Sequence, residues 1–482
     1  MDFFTFYEHE SIPYDNCRLF NNIHTRERLK SILSKIWNER NQYGITRAHS
    51  SNDSDDWTEQ QFFTFYESFA KVGKYTGVIK YENVTVQVLP KIFESPHYCK
   101  EETIVASNAH LLWWLSFSNK IHVPKSSSTW DLFELNLPDI LIFFFASLAR
   151  DELIFNKHQT YVEQEESLLT IRGRINFNRY AINYYLANPH IVPCLFSSLE
   201  INNLFNQIVK FTSKKLFHHT ENPDIKKLLS EIMWILDDVE DIFLSEADCD
   251  KVKIPPLNVN MKIIIDYCRL FLSGLTIKTS EDNLEIFAFL LPMEKLFEDF
   301  IYGFIKEKFE FRENVLTVSS KGYYGNEFEK WLATEKTNEK LKNVFAIMPD
   351  IYIKRTNGDL ILDTKYKKIY TREEAGESER RKSGASIDDV YQMIAYAIKY
   401  NINNIHLLYP EKADTDSGTI SAQYIVCDRL GGSENEISIW YHRLPVICKS
   451  IQKFGNTSFN IKEIFREQEK ELYNELRTII LS

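Results

Sequence analysis

Two short apolar runs in the final third constrain this chain more than any other feature. They are Met348-Pro349-Asp350-Ile351-Tyr352-Ile353 and Leu360-Ile361-Leu362-Asp363-Thr364-Lys365-Tyr366, with Gly358-Asp359 between them. Runs rich in β-branched and aromatic residues, bounded by a turn containing Gly, read as paired strands, here Val344 to Ile353 and Asp359 to Tyr366. Side chains alternate along a strand, so Asp363 and Lys365 leave from one face. The register can bring Asp350 opposite them. Two carboxylates and an ammonium then crowd one strand end. Anions that close repel unless a cation neutralises them, and a hard divalent ion with oxygen ligands does so. Mg²⁺ suits the set because it binds through a few carboxylates plus substrate phosphate oxygens; Mn²⁺ accepts similar donors. Lys365 can orient or help deprotonate water and offset charge on a pentavalent phosphorus. This is a layout for metal-assisted phosphodiester hydrolysis. The plainer alternative is an exposed hairpin with a surface salt bridge.

Pro-Asp alone carries little information. Pro138-Asp139 and Pro223-Asp224 lack a following Asp-x-Lys strand. Two neighbouring segments add weight to the full pattern. Met293 to Glu307 has an apolar face of Leu296, Phe297, Phe300, Ile301 and Phe304, and reads as an amphipathic helix. Glu298 on that helix could supply a third carboxylate, or be an ordinary solvated Glu. Downstream, Ile387 to Tyr400 reads as a helix in which Gln392 and Tyr396 share a face at i, i+4 spacing. They could touch a substrate strand or brace Lys365, or simply pack on the sheet.

The rest of the chain sets the frame. At roughly 100–200 residues per domain, 482 residues suggest about two to four domains. We expect an α+β multidomain protein. A β-rich N-terminal domain would cover residues 1–103, a mainly helical middle domain 104–288, and an α/β domain 289–482. In the first, Thr76 to Lys91 reads as a hairpin turning at Glu82-Asn83, with Val84, Val86 and Val88 alternating as in a half-buried strand. The hexapeptide FFTFYE occurs at Phe3–Glu8 and again at Phe62–Glu67, which reads as two similar strands rather than a repeat. In the second, the apolar stretch Ile140 to Leu148 is far short of the roughly 20 residues a membrane span needs and reads as a buried helix.

Charge and cysteine narrow the function. Lys and Arg number 57 and Asp and Glu 68, a net charge of −11. Such a chain does not coat DNA by bulk attraction, so nucleic-acid contact must come from a local basic patch or a partner. Lys365 to Lys382, with seven Lys or Arg and four Glu, is the best local candidate for a DNA-facing loop, the alternative being a flexible solvated loop. The seven Cys are scattered without a CxxC pair, as expected of reduced thiols in the cytoplasm. No signal peptide is apparent, and no membrane association is expected.

Taken together, Pro349-Asp350, Asp363-Thr364-Lys365 and Gln392/Tyr396 resemble the PD-(D/E)xK nuclease superfamily, in its RecB-like branch with a helical QxxxY motif. Val86-Gln87-Val88-Leu89-Pro90-Lys91-Ile92, Arg172-Gly173-Arg174-Ile175 and Met293-Glu294-Lys295-Leu296-Phe297-Glu298, in that order, narrow it to a McrC-like chain. McrC is the nuclease subunit of the McrBC modification-dependent restriction systems. The resemblance spans roughly residues 60–410. It implies a restriction-endonuclease-like C-terminal domain that cuts DNA, holding Mg²⁺ through Asp350, Asp363 and Glu298. It also implies a separate McrB-like AAA+ GTPase, forming a hexameric ring that selects methylated DNA and whose GTP hydrolysis this subunit stimulates. The N-terminal and middle regions would contact that ring. The chain has no GxxxxGK[ST] loop of its own, in keeping with a separate GTPase. Arg172 and Arg174 could meet DNA phosphate or the ring, or hold a strand pair around Gly173. Two other functions remain open: a non-cutting adaptor that activates the GTPase, and a standalone nuclease in another defence or repair pathway.

Overall fold

The computed structural model describes residues 2–39, 61–81, 84–94, 100–118, 135–155, 158–255, 258–274, 277–278, 285–320, 329–337, 340–367, 386–413, 421–428, 435–448 and 464–481. They form a mixed α+β architecture of several sheets with helices packed on them. The chain divides into two compact units, Met1–Pro138 with Gly274–Ser482, and Asp139–Ser273. The contacts thus group the chain differently from three successive segments: the N-terminal strands and the Asp-x-Lys strand share one unit.

In that first unit, a five-stranded sheet runs in the order Asp2–Tyr7, Val84–Leu89, Tyr75–Tyr81, Glu285–Pro292, Ile277–Lys278. The expected hairpin pairs antiparallel, with Gly77 across from Val88; its turn, residues 82–83, lies outside the described residues. Its second strand is not half-buried. Thr85 and Gln87 are as buried as Val86 and Val88, so both faces are covered, and Asp2–Tyr7 pairs parallel along its other edge, which makes it an interior strand of the sheet. Gly77 has φ +138°, and a Cβ there would stand 1.9 Å from the Phe289 carbonyl oxygen, so only glycine permits this strand spacing. The two FFTFYE copies are strands in different sheets, Asp2–Tyr7 here and Phe63–Phe65 in a three-stranded one.

The six-stranded sheet runs Val315–Ser320, Ile351–Arg355, Leu360–Thr364, Asn404–Pro410, Asn435–Leu444, Ser421–Asp428. The apolar run Val344 to Ile353 is not one strand. Lys340–Ile347 pairs with Lys330–Thr337, and Ile351–Arg355 joins the large sheet. The break falls at Met348-Pro349-Asp350, where proline has no N–H for a ladder. The Ile387–Tyr400 helix crosses over between the parallel strands Leu360–Thr364 and Asn404–Pro410. It buries Met393, Tyr396 and Ala397 against Ile361, Leu407 and Tyr409. Ser386 caps it, accepting the Asp389 N–H, while Asp389 accepts the Ser386 N–H.

The Met293–Phe309 helix packs its aromatic face on the Lys100–Phe117 helix, with Trp114 stacked on Phe300 at 5.4 Å and Phe117 against Phe304 at 5.1 Å. Gly303 sets the approach: a Cβ there would lie 1.8 Å from the Phe117 carbonyl oxygen.

The Asp139–Ser273 unit contains the helices Leu204–His219, Pro223–Ile235 and Val259–Gly274, with most of Leu137–Phe155. Ile140–Leu148 is the expected helix, buried except for the half-buried Ser147 and Leu148, and no helix among the described residues is long and apolar enough to cross a membrane. The unit also holds a sheet of Thr160–Leu168, Val192–Glu200 and Arg174–Ile175, where a mainly helical region was expected. Thr160–Leu168 is mostly polar and exposed, so it carries no alternating apolar signal to read.

Candidate active site

The hairpin register fixes the centre of the site. Ile351 pairs with Leu362 and Tyr352 with Ile361, so one further step places Asp350 across from Asp363. Asp350 lies just before its strand, and its Oδ2 accepts 2.9 Å hydrogen bonds from both the N–H and the hydroxyl of Thr364. Asp363 is wholly buried. Lys365 Nζ stands 2.6 Å from its Oδ2, yet neither Asp363 oxygen accepts a hydrogen bond of ordinary geometry. Burial and the charge of Asp350 push its carboxyl up to about 7. The pair is short of positive charge even with a lysine beside it.

Lys365 is fastened along its whole length. Its backbone N–H donates to the Leu408 carbonyl at 2.9 Å, and Nζ donates to Gln392 Oε1 at 2.9 Å. Gln392 Nε2 then donates to the Tyr396 hydroxyl at 2.9 Å, and that hydroxyl donates to the Met348 carbonyl at 2.9 Å. The i, i+4 pair therefore ties the end of the lysine to the segment carrying Asp350. Burial pulls the Lys365 pKa down, but Asp363 and Asp350 outweigh it and the net shift is upward. The group is an ammonium at neutral pH.

Glu298 lies nearby on the Met293–Phe309 helix, with Lys295 Nζ 2.6 Å from its Oε1 and 3.4 Å from Asp299 Oδ1. Burial and Asp350 push the Glu298 carboxyl up to about 8. It feels the charge of Asp350 without joining it: among the described residues no three His, Cys, Asp or Glu side chains stand together as a metal-binding group. In chemistry the set fits a hard divalent ion. It offers oxygen donors, an excess of negative charge, and two Asp363 oxygens without hydrogen bonds. Asp350 and Asp363 fit as a two-carboxylate seat. Glu298, in its present rotamer, belongs to Lys295.

Arg172 and Arg174 belong to the other compact unit, Asp139–Ser273. Both are exposed, Arg172 with its guanidinium 4.3 Å over the Phe196 ring and Arg174 paired with Leu195. Of the basic tract Lys365 to Lys382, residues 368–382 lie outside the described residues. Lys367 forms an ion pair with Asp389 at 3.0 Å. Although burial raises the Asp389 pKa, hydrogen bonds from Ser386 and Lys367 carry it below its usual value. Sequence reasoning missed Thr364, Lys295 and Asp389 as partners. Lys295 stands at i−3 from Glu298, within reach but not marked as its partner, whereas Asp389 was legible as the end of a Ser-x-x-Asp cap. The other two Pro-Asp pairs open helices, Leu137–Phe155 and Pro223–Ile235.

Comparison with known proteins bears on what this site belongs to. No sequence among curated proteins matches significantly. In fold, the chain is similar to one in the refined half-complex from a tetradecameric assembly of Thermococcus gammatolerans McrB AAA+ hexamers with bound McrC. The TM-score is 0.64 at 17% identity, over 99% of this chain and 100% of that one. A chain of the Thermococcus gammatolerans McrBC complex gives TM-score 0.48 at 21% identity, over 64% of this chain and 89% of that one. The family model for the McrBC 5-methylcytosine restriction system component matches residues 70–410, well over half of the sequence. The chain therefore belongs to the McrBC 5-methylcytosine restriction system component family.

Proposed function

We propose that this protein is the DNA-cutting subunit of a McrBC-like restriction system, a metal-dependent endonuclease with a PD-(D/E)xK core. The observation that carries this reading is Asp363: buried, opposite Asp350, touched by Lys365 and otherwise without a hydrogen bond. A fold keeps so poorly satisfied a carboxylate where a ligand completes it. Asp350 and Asp363 would hold Mg²⁺ or Mn²⁺, with Glu298 recruited if it releases Lys295. When bound, the ion supplies Lewis-acid activation of the scissile phosphate and its attacking water. The protein's own part is positioning and charge. Thr364 holds the Asp350 carboxylate in place. Lys365, a cation at neutral pH, orients water and offsets negative charge that develops on phosphorus. Gln392 and Tyr396 keep its ammonium aimed at that spot.

The McrB AAA+ hexamers with bound McrC in the similar assembly support a partner of the same kind, a ring-forming GTPase that brings methylated DNA and whose turnover this subunit stimulates. The net charge of −11 suits a cutter that delegates DNA capture. In the Asp139–Ser273 unit, the aromatics Phe177, Tyr184 and Tyr185 are exposed, and so are Arg172 and Arg174. They suit a docking face for the ring. The setting would be the cytoplasm, where the DNA substrate lies.

The test is reconstitution with a McrB-like ring, GTP, Mg²⁺ and DNA carrying methylated cytosine. Cutting should require every component, and Asp350→Ala, Asp363→Ala and Lys365→Ala should each abolish it while preserving stimulated GTP hydrolysis. Undiminished cutting by any of the three overturns the assignment; GTPase stimulation by wild type with no nicking across metals and substrates would favour the adaptor reading.

A further inference from the structure

The Leu89-Pro90-Lys91 segment has no part in the chemistry above, yet it ends beside the site. Parallel pairing sets Tyr7 level with Leu89, so Glu8 and Lys91 emerge from the same end of the five-stranded sheet. Glu8 is buried, and its Oε2 accepts hydrogen bonds from the Lys91 backbone N–H and from the Tyr366 hydroxyl, each at 3.0 Å. Lys91 Nζ donates to the Tyr366 carbonyl at 3.0 Å and lies 4.5 Å over that ring. Tyr366 is thus gripped at its hydroxyl, its ring and its carbonyl. It is the residue after Lys365, and its ring meets Phe297, the residue before Glu298, at 6.2 Å.

We propose that Glu8 and Lys91 are positioning residues for cleavage: they clamp Tyr366 and so hold the backbone from which Lys365 reaches Asp363. The proposal rests on the nuclease reading above. A flexible side chain acts at a fixed point only if its backbone is fixed, and about 1 Å of misplacement can lower a rate roughly 100-fold. The Leu408 carbonyl secures Lys365 from the sheet side. Tyr366 lies beyond the end of its own strand, which closes at Thr364. The N-terminal sheet supplies that hold across 275 residues of sequence. A carboxylate as buried as Glu8, with Oε1 lacking any partner, is costly to keep for packing alone. A cavity of about 290 Å³ lined by Glu8, His9, Lys91 and Lys367, among others, leaves room for a larger cation at position 91.

The experiment compares Lys91→Met, Lys91→Arg and Tyr366→Phe in the reconstituted complex. It reads single-turnover cleavage at saturating DNA, DNA affinity, stimulated GTP hydrolysis, and amide hydrogen exchange over residues 363–367. Lys91→Met should slow cleavage about 10–100-fold and speed exchange, with DNA affinity and GTP turnover unchanged. Lys91→Arg should stay within about threefold of wild type, and Tyr366→Phe should fall between them. Wild-type cleavage by Lys91→Met, or a loss matched by equal loss of DNA or ring binding, overturns the clamp. If wild type itself does not cut, the nuclease reading fails. Exchange still decides the clamp in that case, since unchanged protection in Lys91→Met rules it out.

Discussion

Asp363 concentrates the tension in this protein. Its carboxyl, pushed up to about 7 by burial and Asp350, gains its charge in the fold only at a cost. The sign follows from linkage. From about pH 4 to 7 the unfolded chain is ionised while the fold retains the proton, so stability falls as pH rises and the deficit is complete above 7. Asp363→Asn should therefore raise the thermal midpoint of metal-free protein at pH 8 by a few degrees while abolishing cleavage, a trade typical of sites kept strained for function. A lower midpoint in calorimetry would count against it. Gln392→Ala should act differently. It removes the acceptor that aims Lys365 and should slow cleavage about 10–100-fold, with Mg²⁺ dependence retained. Asp350, Asp363, Lys365, Gln392 and Tyr396 were legible in sequence because their spacing follows from strand and helix periods. The Lys295 grip on Glu298 was not, since a carboxylate on a helix face gives no sign of which neighbour its rotamer chooses.

At the scale of elements, the Met293–Phe309 helix fixes where Glu298 and Phe297 meet the hairpin, and Gly303 fixes the helix. A Cβ at 303 would collide with backbone, which cannot yield as a side chain can. Gly303→Ala should destabilise the protein by about 1–3 kcal/mol despite alanine's better helix propensity, measurable by urea unfolding. A neutral or stabilising outcome would mean that the two helices part readily. The Ile387–Tyr400 helix was readable to its ends because the Ser386 cap, the apolar face and Asn401 in the left-handed region all agree. The Val344–Ile353 run misled because apolar content continues through Met348-Pro349, where the ladder cannot. The Val84–Leu89 strand misled in another way: Thr85 and Gln87 mimic a solvent face, yet both are buried, and the distant Asp2–Tyr7 strand makes theirs an interior strand.

Across the whole molecule, long-range ties decide what local pattern cannot. His110, on the Lys100–Phe117 helix, is buried, close to the Ala106 carbonyl through Nδ1 at 2.6 Å, and accepts the Cys448 N–H on Nε2 at 2.8 Å. The neutral ring meets both demands; protonation would remove the acceptor. Burial lowers its pKa from 6.5 to about 4. Above pH 6.5 the ring is neutral in both states. Between 6.5 and 4 the unfolded chain takes up a proton that the fold refuses, so stability falls on acidification by up to about 1.4 kcal/mol per pH unit from this group. The stability deficit of His110→Gln relative to wild type should therefore shrink as pH drops from 6.5 to 4; a deficit independent of pH would show that the ring takes up its proton in the fold as readily as in the unfolded chain. The grouping of residues 1–138 with 274–482 was not legible either, because strand partners hundreds of residues apart leave no mark on each other's sequence.

The most direct measurement is the position of a metal ion. In crystals of the complex with an uncleavable DNA, soaked in Mn²⁺, anomalous scattering should give a peak at about 2.2 Å from carboxylate oxygens of both Asp350 and Asp363, and it should vanish in Asp363→Ala. An absent peak, with Lys365 still seated on Asp363, or a peak at other side chains, would contradict the account.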